Sequence, residues 1–177
     1  MTLAIVATAG SADANAFCTL AEVEAYVATL CFSDAWTAKT DENKKAAIIS
    51  AARWMNGFRW VGMRSSQAQA MAWPRCGSYE VRFIDMHVAG NGYLLDQDGY
   101  QVPVDTVPQC IKDANAEYAL RLLAEDRAAD AGALVPENVQ IGSLNITNLH
   151  RNSIPASVLE LVRYFLSPSG CVQVVRG

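Results

Sequence analysis

The chain has 177 residues, of which 51% are hydrophobic and 18% charged, and carries a net charge of −4. That length suits one domain of ~150 residues plus arms or loops, with a core that buries roughly two-thirds of the unfolded surface. The acidic balance argues against a general nucleic-acid coat, and no run approaches the ~20 apolar residues that span a bilayer.

Residues 3–9 are apolar, but no Lys or Arg precedes them, so residues 1–16 are expected to be a native N-terminal arm rather than a signal peptide. Thr19 followed by Glu22 is a capping box, after which Leu20, Val23, Tyr26, Val27 and Leu30 recur at helical spacing. A short piece around Ser33–Ala38 is expected to bury Trp36. The next helix opens near Thr40–Asp41 with acids in its first turn, where the dipole favours them. It turns Ala47, Ile48, Ala51, Ala52, Trp54 and Met55 inward and stops at Gly57. Joined by a short connection, these helices predict an antiparallel pair.

Gln67–Ala72 predicts a further helical turn, ended by Pro74 because proline disfavours helical geometry in the residue before it. Val81, Phe83 and Val88 are strand formers, and Asp98-Gly99 between 93–97 and 100–103 predicts a two-residue hairpin. Asp96 and Asp98 imitate a calcium loop, but its first ligand position falls on Leu94, which carries no oxygen. The longest helix is expected from Thr106, with Gln109 three residues on and Pro108 in the first turn, to about Asp130. Val107, Ile111, Ala114, Tyr118 and Leu122 form its stripe, widened by Cys110, Ala119 and Leu123. Val139–Leu149 alternates loosely and predicts a strand or β-arm. Pro155 starts a last short helix with Val158, Leu161, Val162 and Phe165 inward, closed by Pro168 and Gly170. The tail Cys171, Val172, Gln173, Val174, Val175, Arg176 is β-prone and suits the strand edge of another chain; a frayed terminus is the plainer alternative. The fold class is mainly α: a small helical bundle over 17–166, with a loop or hairpin excursion at 75–105, a β-arm at 137–150 and a tail at 167–177.

Five cysteines without a C-x-x-C pair, and two isolated histidines (His87, His150), predict neither a disulfide framework nor a zinc site. With no G-x-S-x-G, Walker loop, H-E-x-x-H or dinucleotide fingerprint, the expectation is a non-enzyme with no catalytic residues, metal or cofactor. Charge falls in blocks: net −4 over 1–38, +5 over 39–82, −7 over 83–142 and +2 over 143–177. Such blocks suit copies meeting side by side, the basic block on one lateral face and the acids on the other, unless folding scatters them. The cluster Trp54, Phe58, Trp60 and Trp73, interleaved with Arg53, Arg59, Arg64 and Arg75, has two readings. It could stack on exposed bases at ~1–3 kcal/mol each, or pack internally with arginine stems over the rings. Trp54 belongs to the core on its helical position, while Trp60 and Trp73 suit core or subunit interface. Arg59, Trp60, Arg64, Trp73 and Arg75 are therefore the candidate interface residues.

Several motifs in order carry a resemblance: Ala7–Phe17, T-L-A-E-V-E-A-Y (Thr19–Tyr26), Trp36, A-A-R-W-M (Ala51–Met55), F-R-W-V-G (Phe58–Gly62), Gln69 with A-W-P-R (Ala72–Arg75), and V-P-Q-C-I-K-D-A-N-A-E-Y-A (Val107–Ala119). Over residues 7–125 the chain resembles the tailed-phage head–tail adaptor (connector) proteins, often labelled DnaT-like single-stranded-DNA-binding proteins. The stretch 75–100 is longer than that family's usual link, and the resemblance fades beyond about 130. It implies a mainly helical structural virion protein at the head–tail junction, assembled in the host cytoplasm as a ring, usually of twelve copies, beneath the portal. Implied partners are itself, the portal and the next tail component (nozzle, stopper or tube protein), with DNA sliding through the bore and no membrane. Cys171–Arg176 and the 78–104 excursion are the candidates for reaching the portal or tail. The alternative the label suggests is a single-stranded-DNA-binding replication accessory, which needs Arg59, Trp60, Trp73 and Arg75 exposed along a groove.

Overall fold

The structure, a computed structural model, describes residues 3–31, 33–77, 93–124, 138–141, 144–147 and 154–167. Helix α1 (Leu20–Val27) opens on the expected capping box: Thr19 Oγ1 accepts from the Glu22 amide at 3.3 Å, and Glu22 Oε2 accepts from the Thr19 amide at 2.7 Å. It stops at Val27, three residues early, where Thr29 and Leu30 turn back with bonds to the Tyr26 and Val27 carbonyls. The one-turn helix α2 (Asp34–Thr37) buries Trp36, and the Lys44 ammonium stands 5.6 Å from its ring centroid. Helix α3 (Asp41–Asn56) is capped by Thr40, buries Ala47, Ile48, Ala51, Ala52 and Met55, and ends at Gly57.

Trp54 corrects the expectation made for it: it is 49% exposed. At ~100° per residue it lies about 90° round α3 from the centre of the buried stripe. Gln67–Ala72 is not helical either; the segment is a loop whose turns are held by side chains. Around it Met63–Arg64 (β1) and Arg75–Cys76 (β2) pair antiparallel, a ladder the sequence reading did not foresee.

Helix α4 (Gln109–Ala124) is the centre of the fold and packs against α1, α2, α3 and α5. Alanines 114, 116 and 119 let neighbours approach closely on more than one side, and all three are buried with Ile111 and Tyr118. It begins three residues later than expected, with the Pro108 carbonyl accepting from the Ile111 and Lys112 amides. Pro108 disfavours helical backbone at Val107, so a start at Thr106 would be strained. Helix α5 (Ala156–Val162) follows Pro155 and runs into a 3-10 turn at Arg163–Phe165, with Val158, Val162 and Phe165 buried and Leu161 half-buried as read.

The predicted hairpin at 94–102 is present with a different loop. Asp96 pairs with Tyr100, enclosing Gln97, Asp98 and Gly99. Gly99 takes φ +84°, the left-handed residue that closes a three-residue turn. Asp96 Oδ1 accepts from the Asp98 and Tyr100 amides, so this acid serves the turn. Asn138–Ile141 (β3) and Leu144–Thr147 (β4) form an antiparallel hairpin inside the predicted β-arm. The architecture is mainly α, with these small two-stranded ladders, and α1–α5 share one core cluster. Readings placed on Val81, Phe83, His87, Val88, residues 125–130, His150, Pro168, Gly170 and Cys171–Arg176 lie outside the described residues.

Candidate functional site

The aromatic and arginine segment is the constellation the sequence singled out, and most of it is interior. Trp73 is 1% and Trp60 7% exposed. The Trp60 and Trp73 rings meet edge-on at 5.7 Å, and Trp73 meets Phe165 edge-on at 5.1 Å, distances at which aromatic pairs attract. Trp60 Nε1 donates to the Met55 carbonyl at 2.9 Å, tying the cluster to the end of α3. Backbone bonds from Val61 to Phe165 and from Ser167 to Arg59 tie it to the end of α5.

Arg75 is buried too, and its guanidinium organises the loop. Nε donates to the Val61 carbonyl at 2.7 Å, Nη1 to Ala72 at 3.1 Å, and Nη2 to Trp60 and Gly62. Burial, then the nearby Arg64 charge, pulls its pKa down to about 10, so it stays a cation at neutral pH. Gly62 sits at φ +70°, and a Cβ there would run into the Cys76 carbonyl oxygen, so close approach of β1 to β2 requires glycine. Gln69, 2% exposed, completes the clamp: Nε2 donates to the Met71 and Pro74 carbonyls at 2.8 and 2.9 Å, and Oε1 accepts from the Ser66 amide. Only the Gln69…W-P-R spacing hinted at its role, because its partners are backbone carbonyls that carry no sequence signal.

Of the five candidate interface residues, Trp60, Trp73 and Arg75 therefore serve the interior of one chain, while Arg59 and Arg64 lie on the surface. A base-stacking groove built from Arg59, Trp60, Trp73 and Arg75 is not formed, because both rings and the Arg75 guanidinium are covered. What is exposed is a patch at the end of α3: Trp54 with Arg53 and Arg59, neither arginine in an ion pair among the described residues. The rest of the basic block is partly neutralised at home. Lys44 pairs with Glu24 at 3.2 Å and Lys45 with Glu42 at 3.0 Å, so folding scatters some of the charge.

Two further features lie beyond this segment. Tyr93, Tyr100 and Val104, at 37, 72 and 42% exposure, crowd onto the 93–104 excursion. Beneath it, between the 94–102 hairpin, the first turn of α4 and the end of α5, lies a pocket of about 310 Å³. Tyr164 Oη donates to the Asp96 carbonyl at 2.7 Å across its wall. Among the described residues no group of His, Cys, Asp and Glu is arranged to hold a metal ion, and no helix is long and apolar enough to cross a membrane.

No curated protein and no solved structure matches the chain. A family model does match, over residues 1–90, which takes in the N-terminal arm, α1–α3 and the Trp–Arg loop. The chain belongs to the family described as "Putative DnaT-like ssDNA binding protein".

Proposed function

We propose that this protein works by docking rather than by chemistry, as a structural virion protein: a head-to-tail adaptor that forms a ring beneath the portal, extends the DNA channel and joins head to tail. The observation that carries this reading is the exposed apolar content of the 93–104 excursion, a twelve-residue segment that holds three of the six exposed large hydrophobic side chains among the described residues, Tyr93, Tyr100 and Val104. Exposed tyrosines are enriched at protein interfaces, and their concentration in one short segment suits a docking element. The resemblance to adaptor proteins read from the sequence over residues 7–125 supports the same reading, and the net charge of −4 suits a bore that does not grip passing phosphates. The test is to mix the chain with its portal and measure the mass and symmetry of the complex. Tyr100→Ser with Val104→Ser should release it from the portal while the fold persists. Undiminished co-sedimentation of that variant removes the excursion as the docking surface. Failure of the native chain to join the portal in any stoichiometry removes the adaptor role.

The family description favours a second reading directly, and does not bear on the adaptor role: binding of single-stranded DNA. With Trp60, Trp73 and Arg75 interior, that activity would fall to Trp54, Arg53 and Arg59, one stacking ring flanked by two cations. Titration with oligo-dT at low salt should then quench tryptophan fluorescence, with a steep loss of affinity as salt rises. Absence of quenching retires this reading.

A further inference from the structure

Trp54 presents half of a large aromatic ring system to solvent, and Arg53 beside it in sequence and Arg59 just past the end of α3 are also exposed and form no ion pair among the described residues. Elsewhere on the molecule the 310 Å³ pocket has the complementary make-up. Its floor is apolar, with Val102, Cys110, Leu161 and the Tyr164 ring, and its rim carries Asp96 and Asp98. Neither aspartate forms an ion pair among the described residues, and the Asp98 carboxylate accepts no hydrogen bond there. An exposed tryptophan flanked by cations and an apolar socket rimmed by acids match in both polarity and charge, and Trp and Arg are the side chains enriched at interface centres.

We infer that Trp54, with Arg53 and Arg59, is a knob that seats in the Asp96–Leu161 pocket of a second copy of this chain. Because knob and socket are different surfaces, the contact is heterologous and leaves one of each free, so it propagates head to tail and closes only if the rotation allows. The inference supplies the lateral contact of the proposed ring and rests on the self-assembly in that reading, but it does not need the portal. It also accounts for the basic and acidic blocks of the sequence: Arg53 and Arg59 come from the first, Asp96 and Asp98 from the second.

The test uses the full chain in sedimentation equilibrium, with Trp54→Ala and Asp98→Lys, both at exposed positions. The native chain should associate with rising concentration, and each variant alone should associate about tenfold or more weakly. The decisive arm is the mixture. Trp54→Ala retains a socket and Asp98→Lys retains a knob, so together they should form a 1:1 dimer with native affinity. A native chain monomeric up to about 1 mM overturns the inference, as does a mixture no tighter than its components. Quenching by oligo-dT that Trp54→Ala abolishes would assign the patch to nucleic acid and also overturn it. If both variants enter the portal complex like the native chain, the knob falls and the adaptor reading stands. Head-to-tail pairing without portal binding leaves the knob standing and removes the adaptor role.

Discussion

The Lys112 ammonium lies 2.6 Å from Glu22 Oε1, across ninety residues of sequence. The other oxygen of the same carboxylate accepts the Thr19 amide and hydroxyl, so one side chain both caps α1 and docks it on α4.

Partial burial works against the Glu22 charge, but the Lys112 and Thr19 hydrogen bonds outweigh it and hold the carboxyl below its ordinary value. A carboxylate depressed in the folded state adds stability above its unfolded pKa and loses it as pH falls through the folded one. The urea midpoint should therefore drop between about pH 5 and pH 3. Glu22→Gln retains the reach of the capping box without the ion pair, so it should cost about 0.5–1 kcal/mol at neutral pH and flatten that acid limb. Glu22→Ala removes the cap as well and should cost about 1–2 kcal/mol. An acid limb unchanged in Glu22→Gln would show that other carboxylates govern it.

Asn115, fully buried, joins three segments: Oδ1 accepts from the Phe17 amide at 3.2 Å and the Cys18 thiol at 3.5 Å, and Nδ2 donates to the Ile48 carbonyl at 3.1 Å. Asn115→Leu should cost about 2–4 kcal/mol in thermal or urea unfolding, because it leaves the buried Phe17 amide and Cys18 thiol without their acceptor and removes a second bond from the Ile48 carbonyl. Asn115→Asp would set a carboxylate against the Ile48 carbonyl and should be less stable at neutral than at mildly acidic pH. Loss below 1 kcal/mol for the leucine variant would mean that water reaches those groups.

Arg75 satisfies four carbonyls from a planar fork, a geometry that a lysine ammonium cannot reproduce. Arg75→Lys should cost about 2–4 kcal/mol despite conserving charge. Near-ultraviolet circular dichroism should report the loosening, since the clamp holds Trp60 and Trp73. Native signal and native melting in Arg75→Lys would contradict the clamp.

Cys18 is buried, and burial with the neighbouring Glu22 charge pushes its thiol up to about 12, whereas Cys31 is exposed. The thiolate is the reactive form, so at pH 8 a maleimide should label Cys31 readily and Cys18 only after unfolding. Peptide mapping that finds both labelled at equal rates in the folded protein would refute the burial of Cys18.

Several elements were readable because their causes are local. Thr19 with Glu22, Thr40 before the acids of α3, Gly57 and Pro155 each act within one helical turn, and each marks a boundary within a few residues. Pro108 misled the reading of α4 by its neighbour: the constraint on Val107, not the capping pattern at Thr106, sets the start. The segment 67–72 looked helical from composition, yet Gln69 spends both ends of its amide on loop backbone. Trp54 shared the spacing of the buried stripe, but it lies to one side of that stripe and stays 49% exposed.

What the amino-acid order determined by itself was the helical character of the chain and most of its helix boundaries, since capping, proline geometry and apolar spacing act between residues a few positions apart. Which tryptophans and arginines face inward was decided only by tertiary packing. Trp73 is hidden because the 3-10 turn after α5, some ninety residues further on, brings Phe165 against its ring, and Arg75 because the 60–62 backbone folds over its guanidinium, while Trp54 stays half exposed. Burial depends on what the rest of the chain lays over a side chain, and no local pattern carries that information.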